Sequence, residues 1–182
     1  MIRSMKEFAS AFHAAGCVST PLVAVRTADP ASTTHFVIEV LKQGHQLPPL
    51  LGWDVMRGLY AISRDSGDEL ARVLGDREAA TVGPADALLL AQQLREDGLL
   101  LYANAHRFWN EPGVMQGIWN LRDPFKATGR MLVLLTVPAR HCRRNWGRTS
   151  SFSMSLCPRP ITFSKSWGRL SRQPNWTNLS AA

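Results

Sequence analysis

Residues 20–33 read TPLVAVRTADPAST. An unbroken apolar run (Leu22 to Val25), rich in β-branched residues, starts after Pro21 and stops at the Asp29-Pro30 breaker. A strand that alternates apolar and polar residues wets one face, whereas a continuous run needs cover on both. The stretch therefore predicts a buried strand of a parallel sheet. The segment STTHFVIEVLKQG (32–44) that follows reads as a helix. Ser32 or Thr33 would be its N-cap, Phe36, Ile38, Val40 and Leu41 its apolar face, and Gly44 its stop.

The same alternation continues outward. Ile2, Met5, Phe8 and Phe12 recur at helical spacing and predict a short amphipathic helix over 2–14. PLLGWDVMRGLYAI (49–62) predicts a second strand running into a turn or short helix, and the polar stretch 63–84 a surface loop with one helical turn. PADALLLAQQLREDG (84–98) predicts a helix opened by Pro84 and closed at Gly98. LLLYANAH (99–106) then reads as a strand, 111–129 as a helix kinked or broken at Pro124, and RMLVLLTV (130–137) as the last strand. The fold class predicted is α/β: a small, open, mostly parallel sheet of about four strands with flanking helices. Three segments follow: an N-terminal helix (1–19), an α/β domain (20–138) and a basic, acid-free tail (139–182) expected to be disordered.

The tail sets the charge. The net charge is +7, but all 14 acids lie at or before Asp123. Residues 1–138 hold 13 of the 21 basic residues against those 14 acids, a net −1, and the other eight basic residues give the tail +8. Basic residues interleaved with Trp146, Trp167 and Trp176 would suit single-stranded nucleic acid through phosphate contacts and base stacking. The genetic code offers another reading. If each codon's last base is joined to the next codon's first two, His141-Cys142, Asn145-Trp146 and Asn175-Trp176 must each give Leu. Trp146-Gly147 and Trp167-Gly168 must give Gly, and Trp176-Thr177 must give Asp. These forced positions, with the abrupt loss of acids, favour a frameshift near 138–140 and disfavour nucleic acid as partner. A chain truncated in this way would leave the sheet edge at 130–137 uncovered and able to pair with another copy.

Chemistry is sparse in the body. The loop after the first strand, TADPAST, has no glycine and no Lys-Ser/Thr pair, and neither GxxxxGK[ST] nor GxGxxG occurs in the chain. Asn104, His106 and Arg107 stand where a parallel strand presents its ligand edge, with Asn104 nearest the place an Mg²⁺-binding Asp would take. They are candidates for a degenerate ligand edge, the alternative being that they stitch the following loop. Asp54 and Arg57 are spaced for a local ion pair above Trp53. His13, His35 and His45 lack neighbours at metal-ligand spacing, and Cys17, Cys142 and Cys157 read as free thiols in a reducing compartment. No apolar run reaches membrane-span length. No catalytic residue, metal set or cofactor is predicted, and a cytoplasmic location is expected.

Four stretches together resemble the N-terminal, non-catalytic region of an AAA+ ATPase family with chloroplast- and cyanobacterial-type members. They are PLVAVRTADPAST with FVIEVLK, PLLGWDVMRGLYAI, LLLYANAHRFW, and VMQGIWNLRDPFKATGRMLVLLTVP, spanning roughly 20–138. The resemblance implies a degenerate P-loop-like α/β domain that organises a hexamer or contacts clients. ATP, Mg²⁺ and the Walker elements would belong to a downstream module, so no residue here inherits an ATPase role.

Overall fold

A computed structural model describes residues 5–43, 47–137 and 153–156. The chain forms α1 (Met5–Cys17), β1 (Leu22–Arg26), α2 (Pro30–Lys42), β2 (Leu50–Asp54), β3 (Gly58–Ala61), α3 (Gly67–Leu74), α4 (Pro84–Ala91), β4 (Leu99–Tyr102), α5 (Pro112–Ala127), β5 (Met131–Thr136) and β6 (Ser153–Leu156). The sheet order is β3-β2-β4-β5-β1-β6. β2, β4, β5 and β1 are parallel neighbours, and β3 and β6 close the two edges antiparallel. The α/β class and the mostly parallel sheet agree with the sequence, and two antiparallel strands join the four expected.

Alternate strand residues feed two cores, and this explains the continuous apolar runs. Leu51, Trp53, Leu100, Tyr102, Leu132 and Leu134 face α4 and α5. Val23, Val25, Leu99, Leu101, Val133 and Leu135 face α1 and α2. Phe8, Phe12 and Ala15 bury one side of α1, and Phe8 packs on Phe36 of α2 with ring centroids 5.5 Å apart. The buried stripe of α2 is Thr33, Val37 and Val40. Phe36, Ile38 and Leu41, expected on that stripe, flank it half-buried.

Several local expectations are corrected. Residues 49–62 form a β2–β3 hairpin, because the Asp54 carboxylate takes the Met56 and Arg57 N–H groups (2.9 and 2.8 Å) and Gly58 turns the chain at φ +66°. The polar stretch 63–84 contains the two-turn helix α3, held by its buried Glu69. That carboxylate accepts from Arg72 (2.6 Å) and the Arg95 N–H (2.7 Å) and pairs with the Arg95 guanidinium at 3.0 Å. α4 stops at Ala91 rather than Gly98. Leu94 is buried, and Arg72 and Arg130 collect the carbonyls of Gln92, Gln93 and Arg95 that a longer helix would have used. α5 runs through Pro124, whose carbonyl accepts the Thr128 hydroxyl at 2.8 Å. It packs on α4 at two glycines, with Gly117 against Leu88 and Gly113 against Ala85.

The uncovered edge anticipated at 130–137 is also corrected. β5 lies inside the sheet between β4 and β1, because it returns to pair in parallel with β1, Leu22 opposite Leu132. Ser153–Leu156, within the segment read as a disordered tail, forms β6 against the outer side of β1. The rest of 139–182, Ile2, Gly44 and His45 lie outside the described residues.

A Cβ on Gly58 would collide with the Ala79 carbonyl in a left-handed backbone. Gly58→Ala should therefore lower unfolding free energy by about 2 kcal/mol in a urea titration. Gly16→Ala, in open helical space, should leave it unchanged or raise it by roughly 0.5 kcal/mol. Burial alone would raise the Glu69 pKa, but the hydrogen bonds and charges of Arg72 and Arg95 outweigh it and hold the carboxyl below its ordinary 4.5. Its contribution is thus present above pH 4.5 and lost as pH falls through the lower folded value. Glu69→Gln should cost about 3 kcal/mol at neutral pH and weaken the acid dependence of the melting temperature.

Candidate functional site

In an open parallel sheet, ligands gather at the carboxyl ends of the strands where successive connections leave to opposite faces. Here that place lies around the end of β5. Its neighbour β1 sends the chain to α2 on one face, and its neighbour β4 sends it to α5 on the other. The β1–α2 loop and residues 103–111 flank it.

The β1–α2 loop satisfies itself. Thr27 N–H donates to the Thr136 carbonyl at 2.8 Å, which ties the loop to β5. The Thr27 hydroxyl accepts from Asp29 N–H at 3.0 Å and from the Thr33 hydroxyl at 2.8 Å. Asp29 is the N-cap of α2, and its carboxylate accepts the Ser32 N–H (3.0 Å) and hydroxyl (2.6 Å). Pro30 brings no N–H, Ala31 N–H also turns to Asp29, and Thr33 N–H closes on the Asp29 carbonyl at 3.1 Å. The Ser32 hydroxyl and N–H hold the Asp29 carboxyl below its ordinary 3.8. The helix end that would attract an anion already carries one from its own chain.

Sequence reasoning placed the cap at Ser32 or Thr33 and missed Asp29. The signal was present, since Asp followed by Pro matches an N-cap and first-turn pair. Thr33 instead sits fully buried one turn inside the helix.

The three candidates on the other side share one loop. Asn104 is exposed in the left-handed conformation (φ +53°), which Asn tolerates better than most residues. Arg107 is exposed, and its N–H donates to the Asn104 carbonyl at 2.9 Å. His106 is half-buried, and its Nδ1 is enclosed without a hydrogen-bond partner. Between them Ala105 is buried, and Phe108 meets the Trp53 ring edge-on at 5.4 Å. The loop is pinned by its apolar members, Ala105 and Phe108.

The Trp53 ring does not lie under the Asp54–Arg57 pair. It stacks on Tyr102 at 4.4 Å and donates its Nε1–H to the Val82 carbonyl at 2.8 Å. Asp54 and Arg57 do form the local ion pair, 2.6 Å apart, and Arg57 covers the Tyr60 ring at 3.7 Å. His13 lies 3.6 Å from the exposed Cys17 thiol. Among the described residues, no His, Cys, Asp or Glu cluster could hold a metal ion, and no helix is long and apolar enough to cross a membrane.

Burial, and then the Arg107 charge, lower the His106 pKa from its ordinary 6.5. The unfolded chain binds this proton more readily, so His106 should reduce stability as pH falls through and below 6.5. His106→Gln should flatten the melting-temperature profile between about pH 7 and 5.5. An unchanged slope would show that another group carries it.

No curated protein and no solved structure matched the chain. Residues 6–141 match the family described as SpoVK-like AAA ATPase, N-terminal domain. That span runs from α1 to just beyond β5, the whole two-core sheet apart from β6. The chain belongs to the SpoVK-like AAA ATPase N-terminal domain family.

Proposed function

We propose that this chain is a non-catalytic domain of an AAA ATPase: it binds no nucleotide of its own and, in the intact protein, supports an ATP-driven remodelling module. The observation that carries this reading is the Asp29 cap. Nucleotide phosphates need free backbone N–H groups at the end of the first strand; here Pro30 has none, and the Ser32 and Thr33 N–H groups donate to the Asp29 carboxylate and carbonyl of the same loop. The loop at Asn104, His106 and Arg107 supports the same reading, because its anchored members are Ala105 and Phe108. ATP and Mg²⁺ would be handled by another module, self-association would run through the domain, and the setting would be a reducing cytoplasm.

The tail belongs to this proposal as a stretch translated out of frame from about residues 138–140. The family match ends at 141, where the forced Leu, Gly and Asp codons begin, and no acid follows Asp123. On this reading the +8 charge beyond Pro138 is a by-product, and nucleic acid is not a partner.

The intact 182-residue chain should release no phosphate from ATP above a protein-free blank, and His106→Ala should change nothing. Turnover abolished by His106→Ala would overturn the reading in favour of an unusual nucleotide site. The nucleotide sequence across codons 135–145 should stay open in the alternative frame into a GxxGxGK[ST] segment, whereas an early stop would count against the frameshift. Capture of single-stranded oligonucleotides that falls steeply with salt would instead favour a nucleic-acid-binding tail.

A further inference from the structure

The outer edge of β1 is the other feature that no role above absorbs. Thr27 N–H donates to Thr136 O and Leu132 N–H to Pro21 O, so the odd-numbered residues of this stretch turn their backbone groups toward β5. Strand geometry then points the N–H and C=O groups of Leu22, Ala24 and Arg26 away from the sheet. In this chain β6 takes them antiparallel, with Ala24 opposite Ser155 and Arg26 opposite Ser153. Among the described residues that cover is Ser153–Leu156, and it lies outside residues 6–141, the part that matches the family.

The outward groups are symmetric about Ala24. An antiparallel strand of the same sequence, placed on a two-fold axis at Ala24, sets Leu22 opposite Arg26 of the second copy and Ala24 opposite Ala24. Each outward N–H then meets an outward C=O. The two exposed Arg26 side chains fall at opposite ends of the pair, so like charges do not meet. The edge is self-complementary, as an isologous interface requires. We infer that β6 is a displaceable cap over a latent β1–β1 interface, and that a second copy of this chain occupies the edge when the cap is removed. The inference rests on the self-association part of the proposed function and names its surface; ATP turnover tests that proposal's catalytic part separately.

Ser155→Pro in the full chain removes the N–H that faces Ala24 and should release the cap. By light scattering after gel filtration, the unaltered chain should be monomeric. The Ser155→Pro chain should approach twice that mass as concentration rises. Adding Ala24→Pro, which removes an outward N–H and leaves the β5 ladder intact, should restore the monomer. A Ser155→Pro chain that stays monomeric overturns the inference, and so does a dimer that survives Ala24→Pro or an unaltered chain that is already dimeric. Ser153→Pro, at the first residue of the strand, repeats the test with less risk to folding. Amide exchange in the unaltered chain gives an independent check. The Ala24 and Arg26 amides should exchange roughly tenfold or more slowly than in Ser155→Pro at low concentration. Equal rates would overturn the cap.

Discussion

Met131, Leu132, Val133, Leu134 and Leu135 are all removed from water, yet their side chains leave β5 in alternate directions. That requirement for cover on both faces shapes the molecule. One face needs α4 and α5, the other needs α1 and α2, and the strands on either side of β5 must be apolar throughout for the same reason. Each helix takes its position from the strand residues it shields. Where two helices meet over the sheet, they come as close as their smallest residues allow: Gly113 and Gly117 of α5 lie against Ala85 and Leu88 of α4.

The parallel core was legible because this two-sided demand leaves a local signature. β1, β4 and β5 each read as an uninterrupted apolar run, and each occupies its expected stretch within a residue or two, apart from the C-terminal end of the 99–106 reading, where β4 stops at Tyr102. What escaped was decided by partners distant in sequence. α3 looked like loop because its stripe is short and its key residue is an acid; a buried Glu69 is tolerable because Arg95, 26 positions away, joins Arg72 on its carboxylate. α4 looked longer because nothing local reveals that Leu94 turns into the core and that Arg130 claims the Gln92 and Arg95 carbonyls. The place of β5 in the sheet depends on its return to β1, which no periodicity encodes.

The candidate site was legible mainly as a composition. The absence of glycine and of a Lys-Ser/Thr pair in TADPAST argued against a phosphate loop. In the folded loop the carboxylate of Asp29 caps the N-terminus of α2, its pKa lowered by the Ser32 hydroxyl and N–H. On the other side of β5, Asn104, His106 and Arg107 were noticed because they follow a strand. Their spacing could not reveal that Ala105 and Phe108 set the loop's course beneath the Trp53 and Tyr102 rings.

The pairing of β1 with β5 also orders events in time. Val25 shares a hydrogen bond with Thr136, 111 residues later in the chain. A ribosome delivers β1, α1 and α2 long before the strand that completes their core exists. Phe8, Phe12 and Val37 must wait for Val133 and Leu135. Long-range pairing of this kind slows folding and prolongs the exposure of apolar surface on the nascent chain. Synthesis must pass Thr136 before the N-terminal half can close, so a ribosome stalled short of that point would hold a sticky, half-built sheet.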